Sequence, residues 1–73
     1  MARQIVMDLT GDTRHNFDAN DADALLKAEE RFMELTGAGF TAVIRTASGE
    51  AFVQPTFDPN AEVTLFFPRL VGG

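Results

Sequence analysis

Few side chains in this sequence are of a type and spacing that could do chemistry. Cysteine is absent, so a thiolate nucleophile, a disulfide and a cysteine-held metal are all excluded. The one histidine, His15, stands between Arg14 and Asn16 with no second ligand type at metal spacing, and it reads as a surface histidine. Asp21 and Asp23 lie two positions apart on a helical segment and point to different sides of it. They suit the positive end of a helix dipole better than paired acid–base work. Lys27 is the only lysine and falls on a polar stripe with Glu30 and Glu34, where a solvated ion pair is its ordinary role. What remains is Gly72-Gly73, approached through Pro68-Arg69-Leu70-Val71. Two residues without side chains can thread a narrow channel and take backbone angles closed to other residues.

These groups need an element order to position them, and composition limits the choice. A chain of 73 residues makes one small domain, which buries only about 60% of the surface its unfolded form exposes. A cleft lined by several converging catalytic groups needs more scaffold than that, so function is expected on the surface or the tail and not in an enzyme centre. Eleven acidic residues against six basic give a net charge of -5, which repels phosphate backbones and anionic membranes at long range. All aromatic residues are Phe, with no basic patch interleaved, so nucleic acid is an unfavourable partner. The apolar run after Met1-Ala2-Arg3-Gln4 is broken by Asp8 and is too brief for a signal-peptide core or a membrane span, which predicts a soluble cytoplasmic protein.

Ile5-Val6-Met7-Asp8-Leu9 alternates, placing Ile5, Met7 and Leu9 on one strand face. A turn at Thr10-Gly11-Asp12 leads to the polar Thr13–Phe17, so the first seventeen residues predict a β-hairpin with one wet face. From Asn20 the period becomes helical: Ala22, Leu25, Ala28, Phe32 and Leu35 form one stripe, widened by Leu26 and Met33. Asn20 or Asp18 can cap its start, and Gly37 and Gly39 stop it. Phe40–Arg45 and Ala51-Phe52-Val53 flank the turn-like Ala47-Ser48-Gly49 as a second hairpin, and Pro55, Asp58, Pro59 and Asn60 form a loop. The last strand is Val63-Thr64-Leu65-Phe66-Phe67.

The order strand, strand, helix, strand, short strand, strand predicts an α+β fold, a β-grasp (ubiquitin-like) mixed sheet covered on one face by one helix. A ferredoxin-like fold would need a second helix, and nothing after Gly39 supplies one. Residues 1–67 are the expected domain and 68–73 a projecting tail, since five residues beyond Pro68 are too few to pack as an element. Alternation in the last strand puts Val63, Leu65 and Phe67 on one face and Thr64 and Phe66 on the other. Phe66, with Val43 and then Leu70, is expected to form an exposed apolar partner-binding patch, with packing against the Pro55–Pro59 loop as the alternative.

Phe66-Phe67-Pro68 followed by Gly72-Gly73 resembles the ending of the MoaD and ThiS sulfur carriers, and Phe57-Asp58 through Glu62-Val63 resembles the approach to it. Leu9-Thr10-Gly11-Asp12-Thr13 is similar to the first hairpin turn of ubiquitin. Arg69 stands where the molybdopterin-synthase small subunit usually has a second proline. The whole pattern, including Phe32, Leu35-Thr36-Gly37, Gly39-Phe40-Thr41-Ala42 and Asp58-Pro59-Asn60-Ala61-Glu62, more closely resembles the short ubiquitin-like proteins of bacterial conjugation operons.

That resemblance implies a carrier that binds no cofactor and whose Gly73 carboxylate is activated by a partner adenylyltransferase using ATP. A transfer enzyme with a catalytic cysteine would hold the thioester and pass the acyl group to an amine of a target protein, and a de-conjugating peptidase would reverse the tag. Transfer to sulfide would instead give a thiocarboxylate, as in a sulfur carrier. A third reading is a non-covalent β-grasp interaction module. Arg69 is expected to steer the tail, made of Arg69, Leu70, Val71 and Gly72, into an acidic groove. If chains of the modifier form, Lys27 or the α-amino group must carry the linkage.

Overall fold

Turn chemistry closes the first hairpin, β1 (Ala2–Asp8) and β2 (Gly11–Phe17). The Asp8 carboxylate accepts from the Thr10 hydroxyl at 2.6 Å and the Thr10 amide at 2.8 Å. These bonds, the hydroxyl's foremost, hold the Asp8 carboxyl below its ordinary 3.8. Gly11 opens β2 at φ 132, a left-handed angle that favours glycine. The computed structural model of the protein describes residues 1–8, 10–46 and 48–68.

Helix α1 (Ala22–Gly37) begins at Asp21, whose side chain accepts from the amides of Asp23 at 3.0 Å and Ala24 at 3.4 Å. Asp21 is therefore the cap expected of Asn20 or Asp18. The Asp18 carboxylate instead accepts from the Asn20 amide at 2.9 Å and shapes the approach. Gly37 is the last helical residue, and Gly39 ends the helix at φ 102. The Gly39 amide donates to the Thr36 carbonyl at 3.1 Å and the Phe40 amide to the Leu35 carbonyl at 3.0 Å, the two bonds of a Schellman closure.

The remaining strands are β3 (Thr41–Arg45), β4 (Ala51–Val53) and β5 (Val63–Phe67), the last with the limits expected from sequence. The sheet order is β2-β1-β5-β3-β4. β5 runs parallel to β1 and antiparallel to β3, so the sheet is mixed. With one helix packed on it, this is the β-grasp arrangement.

Register decides what the helix covers. The rows Phe17–Ala2, His15–Gln4–Thr64–Ile44–Phe52 and Thr13–Val6–Phe66–Ala42 share one face, and the rows through Arg3, Ile5 and Met7 share the other. Phe32 of α1 and Phe66 and Ala42 of the first face form the buried core, with Val6, Leu35, Phe40 and Phe57 packed against it. The Phe32 ring meets Phe66 and Phe57 edge to face, with centroids 5.7 and 5.8 Å apart. Small residues at Ala2, Ala28 and Ala42 let the helix sit close to the sheet.

Candidate functional site

The strand that leads to Gly72-Gly73 is the central one. β5 is hydrogen-bonded on both edges, Leu65 pairing with Ile5 and Val43 and Phe66 with Val6 and Ala42. The chain leaves the sheet at Phe67, 38% exposed, and the half-buried Pro68. Up to Phe67, β5 is thus held by neighbours on both sides, in the middle of the five strands. The expected tail residues Arg69, Leu70, Val71 and Gly72, and the attachment residue Gly73, lie outside the described residues.

The expected apolar patch requires correction. Phe66 is 0% exposed, sealed between Phe32, Val6 and Ala42, and contributes nothing to the surface. Val43 is on the opposite face, because it pairs with Leu65 and Val53. The partition of β5 into two rows is as read from alternation, but the helix takes the Thr64–Phe66 row. The open face carries Ile5, Leu65, Val43 and Val53 in one line across four strands, flanked by Met7, Val63 and Phe67. Val53 is 68% exposed, and Ile5, Leu65 and Val43 are half-buried. Ile5 and Met7, the bulkier row of β1, belong to this open face and not to the core.

Charge frames the same face. Arg3, Arg14 and Arg45 occupy its rows. The Arg3 Nε donates to Asn16 Oδ1 at 3.0 Å, and Arg14 pairs with Asp12 at 3.2 Å. The exposed acids Asp23, Glu29, Glu30 and Glu34 are on α1, across the sheet. A chain of net charge -5 therefore presents an arginine-edged apolar face on its open side.

The other singled-out residues fall on the helix side. Asp21 and Asp23 serve the helix start, as cap and first-turn acid. Among the described residues, no group of three His, Cys, Asp or Glu side chains is placed to hold a metal ion. Lys27 is exposed, and among the described residues it forms no ion pair within 4 Å with Glu30 or Glu34. His15 is half-buried and lines the cleft between β2 and α1, where it keeps part of its surface open to solvent. Burial, and secondarily the Arg31 guanidinium, lower its pKa from 6.5.

Sequence reasoning missed Gln4 and Arg31. Gln4 is 1% exposed; its Nε2 donates to the Ala28 carbonyl at 2.9 Å and its Oε1 accepts from Arg31 Nη1 at 2.7 Å. The signal was a lone amide between Ala2 and Val6 on the row that became the core.

Among the described residues, no helix is long and apolar enough to cross a membrane. In comparison with known proteins, no family model, no curated protein and no solved structure matches the chain.

Proposed function

We propose that this protein is a ubiquitin-like modifier whose Gly73 carboxylate is adenylated by an ATP-dependent activating enzyme and then joined to an amine of a target protein. The observation that carries the reading is the position of β5, the central strand of a β-grasp sheet, which runs directly into Pro68 and the Gly72-Gly73 sequence. A carboxylate is a poor acyl donor because its leaving group would be oxide. Attack on the α-phosphate of ATP converts it to an acyl-adenylate, releases pyrophosphate and makes AMP the leaving group. Glycines at the reacting end leave the carboxylate unobstructed.

With no cysteine in the chain, the thioester forms on the transfer enzyme, whose thiolate displaces AMP. The target amine then displaces the thiolate and yields an isopeptide bond. The arginine-edged row Ile5–Leu65–Val43–Val53 is the docking face for the activating enzyme and replaces the Phe66-centred patch. Lys27, exposed on α1, is the side-chain amine open to chain formation. Cytoplasmic residence accompanies this reading, because the activation consumes ATP.

Intact-mass and peptide mapping of the protein from its native host tests the proposal. Branched Gly73 adducts on target lysines support it. Exchange of the terminal oxygen for sulfur would make it a sulfur carrier of the MoaD and ThiS kind, and unmodified protein alone would leave a non-covalent module. Deletion of Gly73 is expected to abolish ATP–pyrophosphate exchange with the cognate enzyme and to leave the thermal midpoint unchanged.

A further inference from the structure

A cavity of about 380 Å³ opens between β2 and α1, and among the described residues that line it none is acidic. His15 and Phe17 reach it from β2, and Ala24, Lys27 and Arg31 from one stripe of α1. Lys27 and Arg31 stand four apart on the helix, a like-charge spacing that costs stability unless something neutralises it. Among the described residues, none of His15, Lys27 and Arg31 makes an ion pair within 4 Å.

Arg31 is also aimed. The buried Gln4, cross-strand partner of His15, fixes one guanidinium nitrogen at 2.7 Å while its own amide is tied to the Ala28 carbonyl. One N–H of the fork is engaged, and the others remain free to donate outward. An arginine held by a buried amide, beside a lysine and an imidazole with no carboxylate within 4 Å among the described residues, is preorganised for an anion.

We propose that His15, Lys27 and Arg31 form a binding site for a phosphate-type oxyanion, with Gln4 as the residue that positions the Arg31 guanidinium. The fork of Arg31, the point charge of Lys27 and the His15 ring nitrogen bring three separate donor groups to one cavity. That suits a tetrahedral oxyanion with three free oxygens better than the two oxygens of a carboxylate. The charged groups around His15 are Arg14 of β2 and Lys27 and Arg31 of α1; Gln4 of β1 is neutral, and the acids Asp23, Glu30 and Glu34 are exposed on the helix. The neutral imidazole favoured by its surroundings can still donate one hydrogen bond, and an arriving anion favours its protonation. The site is independent of Gly73, so it stands or falls apart from the conjugation reading.

Titration of the full chain with inorganic phosphate, read by amide and side-chain NMR against sodium chloride at matched ionic strength, tests the site. The expected result is saturable shifts confined to His15, Lys27, Arg31 and their neighbours. Arg31→Gln should weaken binding about tenfold, the loss of one charge-assisted hydrogen bond. Lys27→Gln, an exposed change compatible with the helix, should also weaken it, while relief of the like-charge spacing leaves the unfolding midpoint the same or slightly higher. Binding of adenosine monophosphate tighter than phosphate makes the natural ligand a phosphate monoester, and equal binding makes it the free ion. Shifts reproduced by chloride, shifts spread equally over Arg3 and Arg45, affinity unchanged in both variants, or binding of an acidic peptide but not of phosphate would each overturn the assignment.

Discussion

Phe66 and Gln4 are both fully buried, yet removing them should have different consequences. Phe66 fills the space between Phe32 and Ala42, and Phe66→Ala is expected to cost about 3–5 kcal/mol. That is a large share of the stability of a domain this small, so the urea midpoint should fall steeply. Gln4 is held by two polar contacts, and its neighbours have alternatives: Arg31 can turn into water, and the Ala28 carbonyl sits mid-helix where it has its own partner. Gln4→Leu, close in shape, should therefore lie within about 1 kcal/mol of the parent, whereas Gln4→Ala opens a cavity and should cost about 2 kcal/mol. His15 adds a pH dependence with a defined sign. Its pKa is lowered in the fold by burial and by Arg31, so the unfolded chain binds the proton more readily. The stability this contributes is complete above about 6.5 and is lost as pH falls through the interval between 6.5 and the lowered folded value. His15→Asn should flatten the unfolding free energy over that interval, measured by denaturant midpoints in matched buffers.

The elements differ in how plainly they are written in the chain. β5 was legible to the residue, because Val63–Phe67 is β-branched and aromatic and is closed by Pro68. Helix α1 was legible from its stripe, although Asp21 took the cap that Asn20 and Asp18 also offered, since only Asp21 places its carboxylate over the amides of Asp23 and Ala24. What alternation could not give was the covered side. Both rows of β1 and β5 carry apolar residues, and the bulkier row, Ile5, Met7, Val63, Leu65 and Phe67, faces outward. The covered row mixes Phe66 with Ala2, Ala42, Thr64 and Gln4 because a close helix needs small residues and one polar anchor. That inversion moved the expected patch from Phe66 to Leu65 and Val43, and it yields a paired test. Leu65→Ala removes part of a half-buried side chain and should cost about 1 kcal/mol, while ATP–pyrophosphate exchange with the activating enzyme should fall about tenfold or more through a raised KM. Thr64→Val, one residue away on the covered face, should leave the exchange unchanged.

Across the whole molecule, charge is unevenly divided by the sheet: Arg3, Arg14 and Arg45 edge the open face, where Asp12 pairs with Arg14, and Asp23, Glu29, Glu30 and Glu34 outnumber Lys27 and Arg31 on α1. A net charge of -5 predicts repulsion from an acidic partner, but near the surface the local field governs, because screening limits its reach to about 10 Å at 0.1 M salt. The open face can therefore approach an acidic groove that the helix side would be turned away from, and the asymmetry orients the encounter before any apolar contact forms. Such an effect belongs to the association rate. Arg45→Glu reverses one edge charge on an exposed side chain and should slow association with the activating enzyme about tenfold at low salt, with dissociation little changed and the unfolding midpoint intact. The difference from the parent should shrink as salt rises toward about 0.5 M, where the screening length is only a few ångströms. Glu34→Lys on α1 alters net charge in the opposite sense at a distance from that face and should leave the rate nearly unaltered. Equal sensitivity of the rate to Arg45→Glu and Glu34→Lys, or a salt dependence identical in parent and Arg45→Glu, would mean that total charge and not its division across the sheet sets the encounter.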